Sequence, residues 1–425
     1  MLKVVWWNSL SWSIKISWSK NAALPLIAAS ILINWKVKLK NVPRIWDIFT
    51  FLEILESAWS KINFTWNILE IDNSFLDPKE LDFEKIKKIR ASVLLLSPIL
   101  QRFKKIIIPF PWGCNIWKRP IDWHLEWLKK IWYDVSLWVK TSIPTIDIRW
   151  ELEEGDRVIN AWFWVTTTEN LIMANIFRKG KTIIKLSAIE PHVMNLIDFL
   201  REAWADIKMR FNHEIIISWV EKLKENLEFE VISDYIESWT FMVIWALTSK
   251  NYLDIENARI DDLYSFIEKL KEVWVKVEDL WNDTLRVFRV NKIKSTNIQT
   301  NIFPGFPTDL QSPFAVLLSQ AEWESKIHEV LFEWRLSWLV ELEKMKAKIN
   351  ILNPHEAEIV WPVLLKWTTV TSWDLRAWVS MIIAWLVASW NTLITNVEYI
   401  KRGYENIVEK LKNIWADIEE LDIEE

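Results

Sequence analysis

The chain has 425 residues, 51% of them hydrophobic and 26% charged, with a formal net charge of −5. That length leads us to expect two domains, or three, with ample core, and the slightly acidic balance removes the electrostatic case for nucleic acid or an anionic membrane as partner. A single cysteine excludes an intrachain disulfide framework and fits a reducing compartment, so a cytoplasmic protein is expected.

The opening stretch, MLKVVWWNSLSWSIKIS, lacks the charged-then-apolar plan of a signal peptide. The apolar runs at 22–33 and 379–390 are too short to span a bilayer. The first of them belongs to SWSKNAALPLIAASILI (17–33), which sets Lys20 and Asn21 ahead of an apolar helix. Asn21 reads as its N-cap. Lys20 does not fit that role, because a cation opposes the macrodipole at a helix N-terminus. An anion held jointly by the helix amides and Lys20 would resolve the conflict.

Six segments share one plan: an amphipathic helix, then a W-A-D-like turn, then an alternating strand. They start near Phe51, His124, Leu196, Leu263, Leu339 and Ile407, about 70 residues apart. That period is too long for a solenoid repeat and suits a small α/β unit. Six units divide into two domains of three. The charged stretch 222–240 is the most linker-like part of the middle.

Pro109 to Asp122, PFPWGCNIWKRPID, holds the only cysteine, Cys114, with Lys118 and Arg119 close behind it. A lone cysteine is often a small buried hydrophobe. Prolines, a glycine and two cations around this one instead favour an exposed thiolate on a stiff loop. Other cations fall on loops or element ends: Arg90 in KKIRAS, Arg376 in SWDLRAW and Arg402 in KRGYE. Any of them, and Asp374 beside Arg376, could be an ordinary surface ion pair. Asp309 in FPGFPTDLQ could cap a helix or sit in its first turn, and the stiff approach also suits a fixed general base. The five histidines form no metal-ligand spacing, so neither a metal nor a cofactor is expected.

Tryptophan and glycine counts are abnormal, at 33 and 5. Roughly 7% glycine, about 30 residues, would be ordinary. The two types together number 38, close to a normal glycine count. Trp59, Trp132, Trp204, Trp274 and Trp415 each end a helical pattern just before a strand pattern, where the backbone wants positive φ and glycine is the default. Most of these tryptophans are therefore expected to be glycine in the working protein, with UGA codons read as Gly in the source organism and as Trp here.

With that substitution in mind, SWSKNAALP (17–25), IRAS (89–92), PWGCNIWKRPID (111–122), VTTTENLIMA (165–174), DYIESWTF (234–241), FPTDLQ (306–311), DLRAW (374–378) and RGYE (402–405) resemble, in order along the whole chain, the UDP-N-acetylglucosamine 1-carboxyvinyltransferases. The departures fall at Trp positions where that family has Gly. The resemblance implies an α/β fold, a two-domain inside-out α/β barrel with six repeats of a small βα unit, three per domain. Residues 1–20 and 232–425 would form one domain and 21–231 the inserted one. It implies transfer of enolpyruvyl from phosphoenolpyruvate to UDP-N-acetylglucosamine with release of phosphate, the first committed step of peptidoglycan synthesis, by a monomer.

By the same resemblance, Cys114 would add to phosphoenolpyruvate or act as acid, and Asp309 would be the base for the sugar hydroxyl. Lys20, Arg119 and Arg402 would hold phosphate and carboxylate. Asn21, Arg90, Arg119, Pro120, Ile121, Asp122, Trp123, Trp164, Val165, Thr166, Asp309 and Leu331 would line the nucleotide-sugar site, and Asp374 and Arg376 would support the closed state. Two other readings stand beside this one. The sister enzyme acting on shikimate 3-phosphate shares the fold but lacks the cysteine motif. A non-catalytic Trp-rich binder would place its indoles on one exposed face.

Overall fold

Each repeat begins as a helix whose apolar side must be covered and whose following strand alternates inward and outward. The structure, a computed structural model, describes residues 2–5, 10–109, 126, 129, 133–140, 143–150, 154–360, 362–366, 368, 375–388, 392–394, 397–414 and 417–420. Five of the six repeat helices lie among them: Trp46–Ser57, Pro191–Glu202, Tyr264–Glu272, Leu339–Lys344 and Ile407–Asn413. The helical part of the repeat near His124, apart from residues 126 and 129, lies outside the described residues, while its strand Tyr133–Lys140 pairs antiparallel with Ile143–Trp150.

The strand after each of these helices enters an antiparallel pair. Lys61–Thr65 pairs with Ile68–Asp72, Asp206–Arg210 with Glu214–Ser218, Val277–Asp279 with Thr284–Phe288, and Ile349–Asn353 with Glu356–Ile359. Each of these pairs gains a third antiparallel strand and then a fourth that runs parallel to the third. Four sheets built on one rule are the structural form of the repeat. The last pair is closed differently, because Asp417–Glu420 lies antiparallel to Leu2–Val5 from the other end of the chain.

The chain divides into two compact units, Met1–Ser17 with Ser233–Glu425, and Trp18–Ile232. The second division falls inside the charged stretch 222–240. Each unit has its own core. Helices occupy the interior and sheets the outside, so the inside-out α/β arrangement expected from the resemblance is the one observed. Helix Lys20–Ala29 has eight buried residues, and the apolar run beginning at residue 22 is its sequence. Tyr235–Thr248, Gln311–Leu318 and Leu375–Val387 pack on one another in the other unit. A helix apolar all round must be buried on all sides, while strands such as Ile68–Asp72 alternate exposed and buried. No described helix is long and apolar enough to cross a membrane.

Three of the helix ends carry tryptophan in the left-handed region. Trp59, Trp204 and Trp274 have φ of 70°, 73° and 70°. Their N–H groups reach the carbonyls of Glu56, Arg201 and Lys271, and the next residues reach those of Leu55, Leu200 and Leu270. This pair of bonds is the Schellman motif, whose C′ residue is usually glycine. Trp132 and Trp415 lie outside the described residues. Trp66, Trp162, Trp281, Trp323 and Trp334 also have positive φ, between 53° and 78°. A bulky side chain there is strained.

Four other tryptophans are buried: Trp239 and Trp245 on Tyr235–Thr248, and Trp378 and Trp385 on Leu375–Val387. These two helices pack together. None of the four Nε1–H groups has an acceptor among the described residues, each a cost of about 1–3 kcal/mol. These twelve described tryptophans divide between left-handed turns and helix contacts and do not form one exposed face.

Candidate functional site

Cys114, Arg119, Pro120, Ile121, Asp122, Trp123 and Asp374 lie outside the described residues. The remaining candidates fall into two groups, one in each unit.

In the unit Trp18–Ile232, the helix Lys20–Ala29 is capped by Ser19, whose Oγ accepts the N–H of Ala22 at 3.3 Å. Asn21 is therefore not the N-cap. The cap falls two residues earlier because the Ser19 N–H is tied to the carbonyl of Ile232 at 2.8 Å, which holds Ser19 extended. Lys20 is the first helical residue, and its Nζ lies 3.1 Å from Asp47 Oδ2. Both side chains are at least 86% buried. Asp47 thus offsets a cation that the helix dipole disfavours.

The 3-10 stretch Arg90–Leu95, with Arg90 at its start, packs against both Lys20–Ala29 and the helix Val165–Ala174. Asn170 fastens the second contact, giving Nδ2–H to the carbonyl of Val93 and accepting the N–H of Ser97. Trp164 is the N-cap residue of Val165–Ala174 and makes no side-chain cap bond; Val165 and Thr166 form its first turn. Lys20, Asn21, Arg90, Trp164, Val165 and Thr166 therefore sit on three elements, of which Arg90–Leu95 packs against the other two. Inside that helix Glu169 is 2% exposed, and burial, reinforced by Glu190, pushes its carboxyl well above the usual range.

The raised value gives a direction to the pH dependence of stability. A carboxyl held protonated in the fold contributes full stability below its unfolded value, and loses it as pH rises toward the folded one. Glu169→Gln keeps the neutral shape and removes that loss. Thermal melts should show the variant matching the parent near pH 4 and exceeding it increasingly toward pH 7. A variant less stable at pH 7 than the parent would contradict the protonated state.

In the other unit, Asp309 stands in the 3-10 turn Thr308–Leu310 directly before the helix Gln311–Leu318. It does not cap that helix. Its Oδ1 accepts from Arg335 Nη2 at 2.5 Å, and its Oδ2 lies 3.4 Å from Arg376 Nη2. Both guanidinium side chains are more than 90% buried. Arg376 belongs to the helix Leu375–Val387 and lies near the Tyr404 ring. Burial alone would lower its pKa, but Asp309 and Tyr404 outweigh burial and raise it. Tyr404, buried, is pushed up to about 12, and its hydroxyl is 3.0 Å from Thr240 Oγ1. Arg402 ends the 3-10 turn Val397–Arg402, which packs on Leu375–Val387.

Leu331 is held through its backbone: its N–H donates to Glu329 Oε1 at 3.0 Å. Asp309, Arg376, Leu331 and Tyr404 of RGYE are thus placed by packed elements of one unit. The ion pair of Asp309 with Arg376 resolves where that arginine's charge goes. Arg335, Glu329 and Asp47 were not singled out in the sequence. Arg335 follows Leu331 by four residues in FEWRL, which carries no distinctive pattern, and its link to Asp309 spans 26 residues. Two guanidiniums bond to the two oxygens of one carboxylate and fix its position.

A model for the family described as EPSP synthase (3-phosphoshikimate 1-carboxyvinyltransferase) matches residues 7–411. The chain is 36% identical to the UDP-N-acetylglucosamine 1-carboxyvinyltransferase of Halothermothrix orenii, covering 97% of both chains. It is 37% identical to the protein of the same name from Pelagibacter ubique, again over 97% of both. Among solved structures it is similar to the enolpyruvyl transferase NikO from Streptomyces tendae, with a TM-score of 0.88, 21% identity and 98% of both chains covered. An EPSP synthase from Acinetobacter baumannii matches with a TM-score of 0.73 and 15% identity, over 98% of this chain and 99% of that one.

Proposed function

The chain belongs to the EPSP synthase family of enolpyruvyl transferases, and from that premise we propose that it transfers the enolpyruvyl group of phosphoenolpyruvate to the 3′-hydroxyl of UDP-N-acetylglucosamine, releasing phosphate. The observation that carries the chemistry is the Asp309 carboxylate fixed between Arg335 and Arg376. The choice of acceptor is supported by relatives of that name at 36–37% identity over nearly the whole chain. The cysteine motif, absent from the shikimate enzyme, points the same way.

In this reading, protonation of the enol carbon gives an oxocarbenium-like centre at C2. The sugar hydroxyl adds there while Asp309 takes its proton. Loss of phosphate and of a proton from the methyl carbon then regenerates the enol ether. Cys114 adds to phosphoenolpyruvate or supplies the acid, and Lys20, Arg119 and Arg402 stabilise the anionic groups. Asn21, Arg90, Pro120, Ile121, Asp122, Trp123, Trp164, Val165, Thr166 and Leu331 contact the nucleotide sugar, and Asp374 and Arg376 support closure. Residues 1–20 with 232–425 and residues 21–231 are the corresponding domains. The cellular role is the first committed step of peptidoglycan synthesis, hence cell shape and division, carried out in the cytoplasm by a monomer.

The working protein carries glycine at most of the tryptophan positions, through UGA codons. Supporting this, tryptophan accounts for eight of the twenty non-glycine residues with positive φ among the described residues, more than asparagine and aspartate together, although those two are the types that tolerate it best. UGG codons at Trp59, Trp204 and Trp274 would overturn the reading.

Phosphate release tests the function. The protein, made with whichever decoding is active, should release phosphate with UDP-N-acetylglucosamine and not with shikimate 3-phosphate; the reverse preference would reassign it to the sister enzyme. Fosfomycin should abolish that release and leave one covalent adduct on Cys114, absent from Cys114→Ser. Full resistance would argue against a reactive thiolate there.

A further inference from the structure

Glu329 is fully buried and is among the best-connected side chains of its unit. Its Oε2 accepts the hydroxyl of Thr308 at 2.6 Å. Its Oε1 accepts the hydroxyl of Thr300 at 2.9 Å and the N–H groups of Leu331 and Phe332 at 3.0 and 3.3 Å. Its own backbone is fixed as well: the N–H donates to the carbonyl of His355 at 2.7 Å, and the carbonyl lies 2.7 Å from His355 Nδ1. These four donors match the roughly four acceptor sites of one carboxylate, so Glu329 is fully engaged.

Where the bonds lead is more informative. Thr308 immediately precedes Asp309. Six residues after Glu329, Arg335 reaches back to Asp309 Oδ1. One short segment, 329–335, therefore grips the Thr308–Asp309 pair at two points, at the Thr308 hydroxyl through Glu329 and at the Asp309 carboxylate through Arg335. The same Glu329 oxygen that accepts from Thr300 also sets the N–H of Leu331. A base that must meet a hydroxyl within hydrogen-bond reach gains from a fixed backbone as much as from a fixed charge, because small misplacements are costly.

We propose that Glu329 is a positioning residue for the reaction, which through the Thr308 hydroxyl fixes the direction of the Asp309 carboxylate and through the Leu331 amide fixes the neighbouring turn. This rests on Asp309 being the base. The role needs the acceptor oxygens of Glu329 and no proton transfer by it, so a neutral amide that keeps the acceptor facing Leu331 fills it in part.

Thr308→Val tests the link with little change of volume and without removing any bond to Leu331, Phe332 or Thr300. It should lower kcat by between about tenfold and a hundredfold, leave the KM for UDP-N-acetylglucosamine within about twofold, and be rescued by Thr308→Ser. Glu329→Gln should fall between the parent and Thr308→Val in kcat. A purely structural bond would instead lower the melting temperature with kcat kept, so melting is followed in parallel. Thr308→Val with kcat within twofold of the parent, while Asp309→Asn is inactive, overturns the proposal alone. Asp309→Asn as active as the parent overturns the base assignment, and the positioning role with it.

Discussion

Glycine in place of Trp59 and Trp204 raises the melting temperature of the chain, and alanine in the same places does not. Both residues lie in the unit Trp18–Ile232, both have φ above 65°, and both are more than half exposed. A side chain in that region costs about 1–2 kcal/mol per residue, and glycine returns part of the gain, about 0.4–1 kcal/mol, by loosening the unfolded chain. The pair then yields about 1–3 kcal/mol, or roughly 2–12 °C for a unit of this size. Alanine keeps a Cβ and so keeps the strain. Equal stabilisation by alanine would show that removal of an exposed indole, and not the backbone, is responsible.

The buried tryptophans make the sign sharper. A native core tryptophan cut to a small residue leaves a cavity costing about 3–5 kcal/mol. If Trp239 and Trp378 stand where glycine lets two helices approach, Trp239→Gly with Trp378→Gly stabilises instead, because it also removes two orphaned indole N–H groups. Denaturant unfolding of the double variant decides between a gain and a large loss.

Asp309→Asn should lower kcat by about 10²–10⁴-fold, the usual range for a general base, with UDP-N-acetylglucosamine still bound. Asparagine keeps the shape and can still accept from Arg335, but it cannot hold the hydroxyl proton. It also removes the negative charge that two buried guanidiniums meet at Asp309, so stability should fall too. Calorimetric binding alongside phosphate-release rates separates the two effects. A kcat within tenfold of the parent would remove Asp309 from the role of base.

Much of this was legible in the chain because it is local. The period of about 70 residues exposed the repeat, since each helix-turn-strand unit carries its own pattern of apolar positions. The W-A-D turns exposed the left-handed helix ends, since the Schellman geometry is set by six consecutive residues. Asn21 shows the limit of such reasoning. Its type suits an N-cap, but the bond from Ser19 to Ile232, more than two hundred residues away, fixed the helix start two residues earlier. Propensity yielded to a tertiary tie.

The sequence by itself determined the α/β repeat and the family, and singled out Lys20, Asp309, Arg376 and Arg402 as candidates, because those signals sit in short contiguous motifs. Only the tertiary structure decided their partners. Asp47 beside Lys20, Arg335 beside Asp309 and Glu329 beneath Thr308 come from segments 20 or more residues away. A buried charge must be met by whatever element packing brings to it, and packing is a property of the whole fold that no short motif records.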